Sequence, residues 1–411
     1  MVLDDLKSFP RTFKVLVVSA LIENMAFGLI IPYLALYITI DIGLEEWKAG
    51  VALAGYTVAG VPSMIIGGML ADKAGRRPVL LASLGLMSIT IFMYFFANSF
   101  LTLLLLVFAD SFVGSMYMPA ANAMIADIVK PVDRPRAYSA LRVAWNVGII
   151  FGPVLGWLIV SAHSIRVLFV FGGLILACAF VLNFVFIRET RPDKMESAAI
   201  TFRAVMSVRR DRPFLILCSL SAVFWFFFAQ WISVLPVYAF ETLGIGEADF
   251  GLLFALSAIL VVTLQMWVTS QMIKFRRSAV LASGQLVASL GFAIIFLATD
   301  LLTLSGCIAV MTMGEILYMS IVSAVIADMS PEKKRGIYMG FSGMIQQMGS
   351  GLGFLVGMYL LGVLTDPSVI WLLFGAVGAA SCLGYIFFAR SAGPSIDRPE
   401  DDAKKDSRAP A

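Results

Sequence analysis

Long apolar stretches, separated by short polar or Gly/Pro-containing breaks, run along almost the whole chain. One helix needs about 20 consecutive apolar residues to cross a bilayer core about 30 Å thick. Twelve stretches reach that length, and together they cover roughly three quarters of the 411 residues. The predicted spans are 13–40, 47–71, 78–97, 100–127, 136–160, 166–187, 212–240, 249–273, 278–298, 302–328, 335–362 and 367–389.

Composition agrees with a chain that lies mostly in lipid. Hydrophobic residues make up 60% and charged residues 14% of the sequence, against about 25% charged in average soluble domains. A soluble enzyme, a nucleic-acid-binding protein or a secreted scaffold of this size would need a polar surface that these residues cannot supply. The sequence therefore predicts an all-α polytopic membrane protein. We expect it to contact the lipid bilayer and a small-molecule substrate, and not to bind nucleic acid.

The distribution of Lys and Arg predicts the orientation of the spans. Of the 30 basic residues, 27 fall in alternate connections on one side; Lys48 and Arg166 lie on the other side, and Arg142 lies inside a span. Because basic residues concentrate in cytoplasmic loops, we expect both termini in the cytoplasm and the protein in the cell membrane. The first residues lack the features of a cleaved signal peptide, so the first span is expected to act as the membrane anchor.

The two halves of the chain repeat at an offset of about 201 residues. The glycines Gly148, Gly152 and Gly156 recur as Gly349, Gly353 and Gly357, and 125–127 recurs as 326–328; Lys73 and Arg77 find Lys274 and Arg277 after a one-residue deletion. We therefore predict two six-helix bundles, 1–187 and 212–390, joined by a cytoplasmic linker at 188–211 and followed by a disordered cytoplasmic tail at 391–411. Parallel repeats of this kind place a substrate site between the halves at mid-membrane depth.

The connection after the second span carries a recognisable motif. It reads G-M-L-A-D-K-A-G-R-R from Gly68 to Arg77 and resembles the G-x-x-x-D-[RK]-x-G-R-[RK] signature of the major facilitator superfamily. The resemblance covers essentially the whole chain and implies the twelve-helix major facilitator fold. In that family the loop locks the closed cytoplasmic side, which implies a gate built from Gly68, Asp72, Lys73, Gly75, Arg76 and Arg77 together with Asp127. The simpler interpretation is a topology anchor, and both can hold.

The fifth span carries a second motif. Its residues Gly148, Gly152, Pro153 and Gly156 resemble the G-x-x-x-G-P-x-x-G signature of the family's drug/proton antiporter branch. Three glycines four residues apart form one smooth face that allows close helix packing, with Arg142 and Asn146 nearly opposite that face. Taken without Pro153, the glycines could equally be a generic packing motif.

The fourth span departs from that branch. Asp110 stands where the branch usually carries an arginine thought to assist proton transfer, so the proton path cannot be transferred unchanged. In the tenth span, Glu315 resembles the membrane glutamate of a subgroup of multidrug antiporters.

Four ionisable residues lie deep in predicted spans: Glu23, Asp110, Arg142 and Glu315. Such groups are costly in a membrane and by default functional. A carboxylate that is removed from water binds a proton more readily, so these residues are the predicted proton-coupling set, with Asp110 and Arg142 as a possible switching pair. The alternative is a static buried ion pair that fixes helix register.

The remaining candidates concern the substrate. Polar and aromatic residues that could face a cavity are Asn24, Phe27, Tyr33, Trp145, Asn146, Gln230 and Trp231. No phosphate-binding G-x-x-x-x-G-K-[ST] sequence occurs, and the four cysteines lack metal-ligand spacing. We expect no enzyme activity, no metal and no cofactor other than the coupling proton, and we expect a monomer.

These observations predict a proton-coupled exporter of amphipathic, cationic small molecules that works by alternating access. A facilitator or symporter of a specific metabolite on the same fold is the alternative, which the missing arginine supports and the Gly-Pro motif weakens.

Overall fold

The computed structural model describes residues 9–130, 133–190, 208, 211–272, 274–331, 335–393 and 396–397. Within these ranges the chain forms helices and no strands. Most of the predicted linker 188–211 and of the predicted tail 391–411 lies outside the described residues.

Twelve helices are long and apolar enough to cross a membrane. In chain order, α1 to α12 are Arg11–Asp41, Glu46–Ala74, Arg76–Tyr94, Phe100–Ile128, Arg136–Ala162, Arg166–Phe186, Arg212–Glu241, Glu247–Met272, Arg277–Leu297, Leu301–Met329, Ile337–Val363 and Val369–Ala392. Helices are the expected solution because lipid offers no hydrogen-bond partner to the backbone. Large apolar side chains such as Met266 and Leu302 are more than four-fifths exposed, as lipid-facing positions require.

Several of these helices are locally irregular. α1 contains a 3₁₀ turn at Ile31–Tyr33 and a π turn at Tyr37–Asp41, and α7 contains a 3₁₀ turn at Ala229–Trp231. α4 consists of two helical segments, Phe100–Gly114 and Tyr117–Ile128.

The chain divides into two compact units. The first comprises Met1–Ala199 together with Gly246–Ala255, and the second comprises Ile200–Ile245 and Leu256–Ala411. The division after Ala199 falls inside the predicted linker, whereas the first turns of α8 belong to the first unit.

Both units use the same helix pairings. In the first, α1 packs against α5 and α6, and α3 packs against α4 and α6. In the second, α7 packs against α11 and α12, and α9 packs against α10 and α12. The internal repeat that the sequence predicts is therefore present as a repeated packing arrangement.

Candidate functional site

A cluster of charged side chains lies where α2 ends and α3 begins. The Arg76 side chain is almost fully buried, and its Nε donates to Asp127 Oδ2 at 2.9 Å. Its Nη1 lies 3.2 Å from Asp72 Oδ1 and donates to the Ala71 carbonyl at 2.7 Å. Lys73, the neighbouring base of the motif, is exposed. The structure thus brings together Asp72, Arg76 and Asp127, the charged residues that the motif resemblance assigns to a gate.

Glu189, which follows α6, completes this charge cluster and was not singled out in the sequence. Its two carboxylate oxygens accept the backbone N–H groups of Arg76 at 2.9 Å and Arg77 at 3.1 Å. These N–H groups open α3 and have no partner within the helix, and a negative charge at this end stabilises the helix. Gly75 makes the approach possible, because its φ is +110° and a Cβ there would lie 2.5 Å from Glu189 Oε2.

Arg77 and Gly68 of the motif lie outside the charge cluster. The Arg77 guanidinium donates to the carbonyls of Ile187 at 2.7 Å and Phe184 at 2.9 Å, which ties the start of α3 to the end of α6. A Cβ on Gly68 would meet only Pro119, at 3.9 Å. Close packing therefore does not explain the glycine at position 68.

The second unit has a matching arrangement. Arg277 Nη2 lies 2.6 Å from Asp328 Oδ2, and the Asp397 carboxylate accepts the Ser278 N–H at 2.7 Å. Arg277 therefore corresponds in its contacts to Arg76, one residue away from the alignment drawn from the sequence. Asp397 belongs to the segment predicted to be a disordered tail, yet it is buried against the start of α9.

The glycines of the fifth span face α1: Gly148, Gly152 and Gly156. A Cβ on Gly148 would lie 2.5 Å from the Leu21 carbonyl oxygen, and one on Gly152 would lie 2.6 Å from the Gly28 carbonyl carbon. Pro153 borders the same contact, with its Cδ 3.2 Å from the position of a Cβ on Gly28. The motif therefore allows direct backbone-to-backbone packing of α5 on α1.

The repeated glycines of α11 pack on α7 in the same way. A Cβ on Gly349 or Gly353 would collide with the carbonyl oxygens of Ala222 and Phe226 respectively. Gln230 is fully buried in this contact, where its Nε2 donates to Phe226 O at 2.8 Å and Gly353 O at 3.0 Å. This placement favours an interhelical packing role for Gln230 over the substrate contact that the sequence suggests.

Glu23 lies in α1 beside Asn24. The Asn24 amide donates to Glu23 Oε2 at 3.2 Å and to the Ala20 carbonyl at 2.9 Å. The Tyr117 hydroxyl of α4 reaches α1 one turn earlier, where it donates to Ser19 Oγ at 3.3 Å. Asn24 is therefore a direct partner of the acid.

Asp110 and Arg142 are not brought together. Asp110 is buried in α4, where its Oδ1 accepts a hydrogen bond from Thr90 Oγ1 at 3.3 Å. Arg142 is exposed on α5 and forms no salt bridge with any residue that the structure describes. The structure therefore shows no Asp110–Arg142 ion pair: Asp110 is buried beside Thr90 of α3, and Arg142 is exposed.

Glu315 lies in α10 next to a tight helix contact. A Cβ on the preceding residue, Gly314, would collide with the backbone of Ala288. The backbones of α9 and α10 are therefore in direct contact beside Glu315. Glu315 is partly buried and forms no hydrogen bond or ion pair with the described part of the chain.

The other substrate candidates differ in accessibility. Phe27 and Asn146 are exposed, and Trp145 is partly buried with an indole N–H that no described group accepts. Tyr33 is fully buried against Gly156, and Trp231 is buried as well. The substrate candidates that remain are Phe27 and Asn146, which are exposed, and Trp145, whose indole N–H has no described acceptor.

Comparison with known proteins identifies the class. The family model of the Major Facilitator Superfamily matches residues 16–270 and 232–410. The chain therefore belongs to the Major Facilitator Superfamily and is a multi-pass membrane transporter.

Relatives of known sequence cover nearly the whole chain. The chain is 26% identical to YqjV of Bacillus subtilis, an uncharacterised MFS-type transporter. The alignment covers 88% of this chain and 86% of YqjV. The chain is 26% identical to the multidrug resistance protein MdtH of Cronobacter sakazakii (88% and 91% covered). It is 24% identical to a Na⁺, Li⁺, K⁺/H⁺ antiporter of Planococcus maritimus (90% and 92% covered).

A solved structure supports the same fold. The crystal structure of a POT family transporter in complex with 5-aminolevulinic acid aligns with a TM-score of 0.79 at 14% identity, covering 95% of this chain and 97% of that one. The predicted fold class is confirmed, as is the prediction that the chain is a transporter and not an enzyme, since its relatives are transporters.

Proposed function

We propose that the protein is a proton-coupled antiporter that exports amphipathic, cationic small molecules across the cell membrane. Both termini lie in the cytoplasm in this proposal, and a single chain is sufficient for transport. Alternating access moves the substrate, and the Asp72–Arg76–Asp127 cluster stabilises the closed cytoplasmic side.

The observation that carries the proposal is the state of the acids within the membrane spans. Glu23, Asp110 and Glu315 all lie inside spanning helices, and none has a basic partner among the described residues. The ion pairs among the described residues lie at helix ends. An unpaired carboxylate in a span is costly and is by default a functional group.

Such acids are suited to exchange. A carboxylate can be neutralised by a proton or by the positive charge of a substrate, and the two compete for it. Binding of the cation then displaces the proton, and binding of the proton releases the cation. This competition is sufficient for antiport, and it requires no ATP and no metal.

The names of the relatives agree with this class of activity. MdtH is described as a multidrug resistance protein, and the protein of Planococcus maritimus is described as a cation/proton antiporter. The second name supports a narrower alternative, in which the exchanged cation is Na⁺, Li⁺ or K⁺.

Inside-out membrane vesicles test the proposal. We expect an imposed proton gradient, acidic inside, to drive uptake of the fluorescent cation ethidium, and we expect an uncoupler to abolish that uptake. Vesicles without the protein are the control.

Other outcomes separate the alternatives. Collapse of the gradient on addition of NaCl, LiCl or KCl, without ethidium uptake, would instead support a metal-cation antiporter. If neither occurs beyond the control, the proposal is wrong, and the alternative of a facilitator or symporter of a specific metabolite takes its place.

A further inference from the structure

α4 is interrupted in the middle of its span. The Met116 N–H donates to the Val113 carbonyl at 3.3 Å, which is a bond three residues back rather than four. Pro119 lies in the first turn after the break, and since it has no N–H it cannot donate to the Ser115 carbonyl. The interruption therefore has a cause in the sequence.

Neighbouring helices donate hydrogen bonds to two carbonyls beside the break, one of which, Val113, also accepts the Met116 N–H. Ser63 of α2 donates its hydroxyl to the Phe112 carbonyl, and Ser83 of α3 donates to the Val113 carbonyl at 2.6 Å. Irregular backbone at this depth is tolerated only when other protein groups or water replace the lost hydrogen bonds. Two serine hydroxyls, from α2 and α3, therefore support the backbone at the break.

The corresponding helix of the second unit has no such break. α10 runs without interruption from Leu301 to Met329. At the repeat offset, Glu315 stands at the position of Gly114 and Ser320 at the position of Pro119. Ser320 donates to the Ile316 carbonyl at 2.6 Å, within regular helix.

The second segment of α4, Tyr117–Ile128, joins two parts of the first unit. At its start, the Tyr117 hydroxyl donates to Ser19 Oγ of α1 at 3.3 Å, one helical turn before Glu23. Near its other end, Asp127 accepts the hydrogen bond from Arg76. A twelve-residue helix therefore runs from the surroundings of Glu23 to the charge cluster.

We propose that this second segment moves as a rigid element about the break and transmits the protonation state of Glu23 to the Arg76–Asp127 contact. The inference rests on the proposed role of Glu23 in proton coupling. The break is what allows the segment to tilt independently of the first segment, which carries Asp110.

The Tyr117 hydroxyl is the positioning group. An ionised carboxylate is a stronger acceptor than a serine hydroxyl, so a charged Glu23 attracts the Tyr117 O–H away from Ser19. Protonation of Glu23 returns that donor to Ser19. The start of the segment therefore has two positions. Because the segment is rigid, its other end moves as well and changes the position of Asp127 relative to Arg76.

Distances between pairs of spin labels test the inference without any transport step. One pair, Leu101 at the start of α4 and Lys130 just after its end, spans the break. The matched control pair at the repeat offset is Leu302 at the start of α10 and Pro331 just after its end; all four residues are exposed. Labels are attached to cysteines at these positions in a full-length chain whose four native cysteines are replaced by alanine. Glu23→Gln imitates the protonated acid.

We expect Glu23→Gln to shift the Leu101–Lys130 distance by about 2 Å, the scale of helix shifts in switching proteins, and to leave the Leu302–Pro331 distance unchanged. Pro119→Ala, which restores the missing N–H, should suppress the shift. The inference is overturned by an unchanged Leu101–Lys130 distance, by equal shifts in both pairs, or by a shift that survives Pro119→Ala. The vesicle assay decides the proposed function separately, so the two can fail independently.

Discussion

Three carboxylates inside the membrane differ in how well a negative charge is supported. A charged residue at the centre of a spanning helix costs about 2.5–3.5 kcal/mol on insertion scales. Glu23 receives a hydrogen bond from Asn24, and Asp110 receives one from Thr90. Glu315 receives none from the described residues, so it has the least support as a permanent anion.

The first prediction concerns Glu315. Glu315→Gln keeps the shape of the side chain but cannot exchange a proton. We therefore expect proton-driven ethidium uptake to fall by about 100-fold or more, the lower end of what one positioned acid or base contributes to a proton-transfer step. Expression and membrane insertion should be normal. Uptake rates measured over a range of pH in vesicles check this.

An acid outside the membrane on the same helix is the control. Hydrogen bonds from Thr303 hold the pKa of Asp300 below its usual value, so this residue stays charged throughout the physiological range and cannot act as a carrier. Asp300→Asn should leave uptake and its pH profile unchanged. Equal behaviour of the Asp300 and Glu315 variants would remove Glu315 from the mechanism.

A second prediction compares the two arginine–aspartate pairs. The Asp127 side chain is 14% exposed and the Asp328 side chain 51% exposed, beside nearly buried arginines in both cases. Removing one partner of a buried pair costs about 3–5 kcal/mol, and an exposed pair contributes about 1 kcal/mol or less.

Asp127→Asn should therefore lower the thermal unfolding temperature in detergent clearly more than Asp328→Asn. A smaller effect at Asp127 than at Asp328 would show that burial does not determine the contribution of these pairs.

The sequence predicts the chemistry of individual residues better than their partners. The gate motif places Asp72, Arg76 and Asp127 correctly in contact, because a known pattern carries three-dimensional information. Glu189 has no such pattern around it and reaches the cluster only through the packing of α6. The sequence could not show that Asp110 and Arg142 form no ion pair, because the depth of a residue in the membrane does not determine which way its side chain points.

At the scale of helices, hydropathy is a reliable guide. All twelve predicted spans agree with the structure to within three residues at each end, since a membrane demands long apolar helices and polar residues mark their ends. Interruptions inside the spans were not predicted. Pro119 was a visible signal, but a proline in a spanning helix is tolerated so often that it does not by itself locate a break.

A third prediction concerns the contact of α5 with α1. A Cβ on Gly152 would lie 2.6 Å from backbone atoms of Gly28 and Leu29, whereas one on Gly306 of α10 would meet nothing within 4 Å. Backbone cannot move aside as a flexible side chain can, and overpacking typically costs about 1–3 kcal/mol.

Gly152→Ala should therefore lower the unfolding temperature and reduce uptake. Gly306→Ala should be neutral or stabilising by up to about 1 kcal/mol, since glycine is the poorer helix former. Thermal unfolding of both variants in the same detergent measures this. Tolerance of alanine at position 152 would contradict the close packing.

For the whole molecule, the internal repeat is the most informative feature of the sequence. Glycines of α5 and α11 contact α1 and α7 at positions separated by the same offset of 201 residues. The repeat does not predict how α4 and α10 differ: α4 is broken where α10 is continuous, and α10 carries Glu315 where α4 has Gly114. These differences require the coordinates of both units.

The central claim is that a cationic substrate and a proton compete for the same carboxylates within the membrane. Proton release on substrate binding tests it most directly, with purified protein in weakly buffered solution, a pH-indicating dye and tetraphenylphosphonium as the added cation. We predict that the wild type releases protons in proportion to the cation bound, and that Glu23→Gln combined with Glu315→Gln abolishes the release. Calorimetric binding of the cation to the wild type without any proton release would contradict the account.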